Sequence, residues 1–159
     1  MVLIKTHNRL IKTKIPAPGT NKIIKSLKKS ESQSMQGQLP IIWAKAVGHS
    51  LFDIGGNKFI DFTSTIFVAN IGHSNANLIK NLKKILDKEL LHSYAYLNIT
   101  RERYLKKLVK FAGKNFDKAF LMSAGTEATE AALKLMRLYG KKEKKRKLGI
   151  ICIEGNWHG

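Results

Sequence analysis

Short apolar runs and longer stretches of helically spaced apolar residues alternate along the chain. From Pro40, the runs IIWAKAVG, SLFDIGG and KFIDFTS are short and β-like, and Gly55-Gly56-Asn57 between the last two predicts a hairpin turn. Leu78, Ile79, Leu82, Ile85, Leu86 and Leu90 then recur at helical spacing and form one apolar face, with Asn75 or Asn77 available as N-cap. LHSYAYLNIT, residues 91 to 100, reads as a loop. RERYLKKLVKFAG predicts an amphipathic helix capped by Thr100, closed by Gly113, with Tyr104, Leu105, Leu108 and Phe111 as its stripe. Ala119 to Met122 is a short apolar run of strand type. Ser123-Ala124-Gly125-Thr126 turns the chain into a further helix, on which Ala128, Ala131, Ala132, Leu135 and Leu138 share a face. Thr126 is its expected N-cap and Gly140 its expected stop. Leu148 to Ile153 is continuously apolar, as in a strand covered on both faces.

Before Pro40 no period is evident. Pro16-Ala17-Pro18-Gly19 breaks any helix, residues 21 to 29 fit a short basic helix, and KKSESQSMQGQ reads as a linker. Residues 1–39 are therefore expected to form a basic, partly disordered leader. Its opening is interrupted by charges every few residues, which makes a poor signal peptide. No apolar run approaches the ~20 residues of a membrane span. The length of 159 residues and the 43% hydrophobic content suit one ordinary domain. Cys152 has no partner for an internal disulfide and reads as a small buried hydrophobe.

The net charge of +18 raises nucleic acid as a partner. The excess is almost all lysine, 24 Lys against 5 Arg, scattered except for KKEKKRK at 141 to 147. Aromatic residues do not interleave with these lysines, as they do in stacking platforms. A solvated loop is the better reading of that run, and nucleic acid is not the expected partner. His49, His73 and His92 fit no zinc spacing, and no metal site is expected.

The stretch richest in chemistry is AFLMSAGTEATEAALKLMRLYG, residues 119 to 140. Gly125 lets a ligand approach the backbone, Glu127 and Glu130 suit the positive end of the helix, and free N–H groups there attract anions. An ordinary βα turn fits the spacing equally well. The stretch is neither a Walker A loop nor a G-x-G-x-x-G fingerprint.

SAGTEATEAALKLMR resembles the cofactor-phosphate loop of class III aminotransferases, which use pyridoxal 5′-phosphate (PLP) on fold type I. Gly125, Thr126, Glu127, Ala128 and Glu130 match that loop, while Ala124 stands where the family usually has Ser. The family's opening pattern is matched by Gly48, Leu51, Asp53, Gly56, Phe59, Ile60, Asp61 and Phe62. Asp53 and Asp61 are expected to cap turns or pair with lysines. Gly72-His73 matches a further family motif, with Ala76 in the usual Pro region. Trp157 fits the aromatic residue that stacks on the cofactor ring, with His158 and Gly159 behind it.

The resemblance implies an α/β fold, the N-terminal part of a PLP-dependent transferase of fold type I. It implies an N-terminal segment over 40–103 and the start of the PLP-binding large domain over 104–159. Ala124, Gly125, Thr126, Trp157 and His158 would bind the cofactor. Ile66 and Phe67 would meet substrate, and Tyr94 and Tyr96 would lie near the substrate entrance. The implied function is amino transfer between an amino donor and a keto acceptor by a cytoplasmic homodimer. An aminomutase of the glutamate-1-semialdehyde type, or a non-catalytic anion- or nucleic-acid-binding module, is the alternative. The Schiff-base lysine, the aspartate that pairs with the pyridine nitrogen and a phosphate-binding threonine lie downstream in relatives, so no catalytic residue is assigned here. In that fold the strands before and after the phosphate helix are not neighbours. The stretches 118–122 and 148–153 are therefore not expected to pair, and the chain alone is expected to be unstable, aggregating or dependent on another polypeptide.

Overall fold

A computed structural model of the chain describes residues 3–93, 96–143 and 148–158. Tyr94, Gly159 and most of the lysine run at 141 to 147 lie outside the described residues. The chain divides into two units, Met1–His92 and Ser93–Gly159.

The first unit is built on a five-stranded sheet in the order β1-β2-β5-β4-β3. Its strands are β1 (Ile4–Lys5), β2 (Leu10–Ile11), β3 (Trp43–Val47), β4 (Ser50–Asp53) and β5 (Lys58–Ile60). All four pairings are antiparallel, with Ala46 opposite Leu51, Leu51 opposite Phe59 and Leu10 opposite Lys58. Gly48 at φ 57° turns β3 into β4, and its backbone exchanges both hydrogen bonds with His73 at 2.9 and 2.8 Å. That bridge is tight: a Cβ on Gly72 would stand 3.3 Å from the Gly48 Cα.

The leader is not a loose linker. Residues 20–27 form α1 (Thr20–Leu27), Gln33–Met35 form a single 3-10 turn, and β2 adds a strand to β5. The side chain of Asn57, fully buried, fastens it. Its Oδ1 accepts from the Lys12 and Thr13 N–H groups at 2.7 and 3.0 Å. Its Nδ2 donates to Thr13 Oγ1 at 2.9 Å and to Asp53 Oδ2 at 2.7 Å. Asp53 Oδ1 accepts from the Gly55 and Asn57 N–H groups, both at 2.9 Å, so Asp53 caps the hairpin turn as expected. Ile11 and Ala17 of the leader and Leu51 of β4 are the buried apolar side chains among the described residues. Asn57 thus offers partners to backbone groups of the leader that would otherwise need water.

Three helices follow α2, a single turn over Ser64–Phe67: α3 (Ala76–Leu86), α4 (Ile99–Ala112) and α5 (Gly125–Glu143). Asn75 caps α3, its side chain accepting from the N–H groups of Asn77 and Leu78 at 3.0 and 3.1 Å. Asn98, not Thr100, caps α4, accepting from Thr100 and Arg101 at 2.8 and 3.2 Å, and Gly113 closes that helix. Helix α5 starts one residue before Thr126, which sits in its first turn rather than capping it. Gly140 does not stop α5. The ladder continues through it to Glu143, and Gly140 is buried.

The expected strands at 119–122 and 148–153 do not form: both stretches lie outside the named strands, and all but Ile150 are exposed. A strand needs a neighbour for its N–H and C=O groups, and among the described residues neither stretch has one, nor do they pair with each other.

Candidate functional site

The N-terminus of α5 presents a set of free donors. Ser123 and Ala124 bend the chain, and Gly125 is the first helical residue. The Ala128 N–H reaches the Ala124 carbonyl at 3.0 Å. The N–H groups of Gly125, Thr126 and Glu127 come before it and have no carbonyl one turn back. Space beside Gly125 is open, since a Cβ there would meet nothing within 4 Å. Glu127 turns back over the bend, and its Oε2 accepts from the Ser123 N–H at 2.9 Å. The backbone donors, the helix dipole and the open approach together fit a small anion such as the phosphate of PLP.

His158 returns to α5. His158 Nε2 lies 2.8 Å from Glu130 Oε1. Glu130 is five residues into the helix, about 7.5 Å along its axis from Gly125 at 1.5 Å per residue. Trp157 is 77% exposed, and among the described residues its ring contacts no other aromatic ring. The structure thus places Ala124, Gly125 and Thr126 at the start of α5 and His158 against Glu130 of the same helix, with Trp157 next to His158 in the chain. The partner of His158 was not foreseen. Its only trace in the sequence is an acidic residue in the first turns of the helix.

Ile66 and Phe67 lie in the first unit, 64% and 76% exposed. Their backbone is unusual. Ser64, Thr65, Ile66 and Phe67 have φ values of 47°, 51°, 57° and 64°, a complete left-handed turn without a glycine. Left-handed backbone costs roughly 1–2 kcal/mol per residue, and Thr65 and Ile66 are β-branched, which makes it worse. Asp61 braces this turn. Its Oδ1 accepts from Thr63 N–H at 2.8 Å, Thr63 Oγ1 at 2.8 Å and Ser64 N–H at 3.2 Å, and its Oδ2 lies 2.6 Å from His73 Nε2. Those hydrogen bonds, led by His73 and the Thr63 hydroxyl, lower the Asp61 pKa from 3.8 to about 2. His73 also packs edge-on against Trp43, with ring centroids 5.7 Å apart. Asp61 is structural, as expected, but its partner is histidine rather than lysine.

Comparison with known proteins follows the same lines. The solved ornithine aminotransferase of Toxoplasma gondii, whose active site holds PLP at partial occupancy, superposes with a TM-score of 0.71. It is 22% identical, and the match covers 85% of this chain and 30% of that one. The fold is therefore that of the PLP-dependent transferases of fold type I. The family model for class III aminotransferases matches residues 32–159, and the chain belongs to that family. It is 34% identical over 134 residues to the acetylornithine aminotransferase of Methanocaldococcus jannaschii, a match covering 84% of this chain and 33% of the relative. It is 38% identical over 124 residues to ornithine aminotransferase 2 of Staphylococcus aureus, covering 76% of this chain and 31% of the relative. The chain spans about a third of the length of these relatives.

Proposed function

We propose that the chain supplies the phosphate-binding turn of a PLP-dependent aminotransferase acting on an amino donor of the ornithine or acetylornithine kind, with a keto acid as acceptor. The observation that carries this reading is the donor-rich N-terminus of α5, with His158 held against Glu130 of the same helix. The N–H groups at Gly125 and Thr126, with Ala124 in the bend, hold the phosphate. Trp157 offers its face to the pyridine ring and fixes the ring plane. His158 is held by Glu130 and in turn keeps Trp157 at this end of the helix. Ile66 and Phe67 contact the substrate. When bound, PLP supplies an electron sink for charge that develops on the substrate carbon. In this reading residues 40–103 are the N-terminal segment and 104–159 the start of the cofactor-binding domain. The complete enzyme works as a homodimer in the cytoplasm. Among the described residues no helix is long and apolar enough to cross a membrane.

PLP itself is a poor probe, because its aldehyde reacts with any accessible lysine and the chain has 24. Pyridoxine 5′-phosphate lacks the aldehyde. Titrated into the ¹⁵N-labelled chain, it should shift the Gly125, Thr126 and Glu127 amides, while pyridoxine without phosphate should not. Equal shifts with both ligands, or shifts confined to the lysines of α1, would sink the assignment. For activity, residues 32–159 can replace the matching part of the Methanocaldococcus jannaschii enzyme. The hybrid should move an amino group from acetylornithine to a keto acid. A folded hybrid without transfer would leave only the fold-level likeness.

A further inference from the structure

We propose that Asp61 and His73 form a latch that holds Ser64–Phe67 in its left-handed turn, and that they act as positioning residues for Ile66 and Phe67. The functional weight of this rests on the reading that those two side chains meet substrate. The latch itself stands on geometry alone.

Backbone bonds alone do little to favour this turn. Four consecutive residues without glycine occupy left-handed backbone, and the bonds across and after them are ordinary turn bonds, from Phe67 N–H to the Thr63 carbonyl at 3.1 Å and from Val68 and Ala69 N–H to the Ser64 carbonyl, both at 2.9 Å. Relaxation to right-handed or extended backbone would relieve the strain in every residue of the turn. Beyond those backbone bonds, what opposes it enters through one carboxylate. Asp61 Oδ1 takes both Thr63 donors and the Ser64 N–H, which fixes the entry to the turn. Asp61 Oδ2 takes His73, which fixes the carboxylate. His73 is itself anchored away from the turn, by its backbone exchange with Gly48 and by the Trp43 ring. The Ser74 hydroxyl donates to the Ala46 carbonyl at 2.7 Å and ties the next residue to β3. The sheet thus reaches the turn twice, through the chain leaving β5, where the Asp61 N–H donates to the His49 carbonyl at 2.9 Å, and through one side-chain pair. Phe62, Ile66, Phe67 and Val68 are all exposed, so the latch sets where a run of apolar side chains points.

Chymotrypsin reads the turn directly, because a left-handed turn fits no protease cleft and a relaxed one does. In the full chain, cleavage after Phe67 is compared with cleavage after Phe111, an internal reference in the other unit. His73→Ala should raise that ratio by about tenfold, as cleavage tracks the open population. His73→Gln, whose amide can still donate to Asp61, should leave the ratio near wild type. Thr63→Val removes one exposed donor without touching the sheet and should raise the ratio partway. By NMR, the strong intraresidue HN–Hα cross-peaks of positive φ at Thr65 and Ile66 should vanish in His73→Ala while the Gly48–His73 ladder contacts or, if these go with it, the β3–β4 contacts persist. An unchanged ratio in both His73→Ala and Thr63→Val would overturn the latch. So would equal rises in His73→Ala and His73→Gln. No cofactor enters this experiment, so its failure leaves the phosphate turn of α5 standing, and failure at α5 leaves the latch standing.

Discussion

Asn57→Ala is the substitution that most directly tests how the leader is held. The side chain makes four hydrogen bonds, to the Lys12 N–H, the Thr13 N–H, the Thr13 hydroxyl and the Asp53 carboxylate. Each contributes about 0.5–1.5 kcal/mol net, and buried partners left unpaired cost more. Lys12 is exposed and can turn its N–H to water, which lowers the total. The expected loss is about 2–4 kcal/mol, confined to the docking of residues 10–14 on β5. Hydrogen exchange of the Lys12 and Thr13 amides measures it in place, and both should exchange about 30- to 700-fold faster. Asn57→Asp sharpens the argument. It keeps an acceptor for the two amides but sets a second carboxylate against Asp53 Oδ2, where the amide nitrogen now sits at 2.7 Å. Two carboxylates in contact hold a proton between them, so one folded-state pKa is raised. Protection should therefore be near wild type in acid and be lost as pH rises toward neutral. A threefold or smaller effect of Asn57→Ala, or a pH-independent Asn57→Asp, would refute this account of the leader.

Three further outcomes are expected. Gly55→Ala places a Cβ 2.8 Å from the Ala17 Cβ and should cost about 1–3 kcal/mol, with Ala17→Gly restoring part of it in a urea titration. Asn75→Ala and Asn98→Ala should each cost about 1 kcal/mol, visible as fraying of the first turns of α3 and α4 in Cα chemical shifts. The Asp61 carboxyl titrates lower in the folded chain than in the unfolded one, so its stabilising effect is complete above the ordinary carboxylate range. It should be lost as pH falls from 3.8 toward about 2, and the difference in urea midpoint between wild type and Asp61→Asn should close over that window.

What the sequence disclosed and what it hid divide along the distance between partners. Strands β3 to β5 were legible because the short β-like runs and Gly55-Gly56-Asn57 are neighbours in the chain. The Asn75 cap and the Gly113 stop are equally local. The docking of the leader was not legible, because Asn57 and Lys12 are 45 residues apart and neither residue announces the other. The apolar runs at 119–122 and 148–153 have strand composition, yet a strand is a relation between two segments. The bend at Ser123–Gly125 was found through its match to a family motif and its helical sequel. That Glu127 reaches back to Ser123 and Glu130 holds His158 required coordinates. The left-handed turn at Ser64–Phe67 has no sequence signature at all, since four ordinary residues take the conformation that glycine usually supplies.

The strand order carries a consequence for synthesis. Strand β2 is made well before its partner β5, while β3, β4 and β5 pair as neighbours. At about 5–20 residues per second, Asn57 follows Lys12 by roughly 2–9 s. During that interval β1 and β2 have only each other, and the edge of β2 that takes β5 waits uncovered beside a cluster of lysines. The hairpin closes quickly once made, because its loops are short, and the leader then docks across the long loop. A nascent chain arrested before codon 57 should thus expose its leader to protease, and one arrested well beyond β5 should protect it.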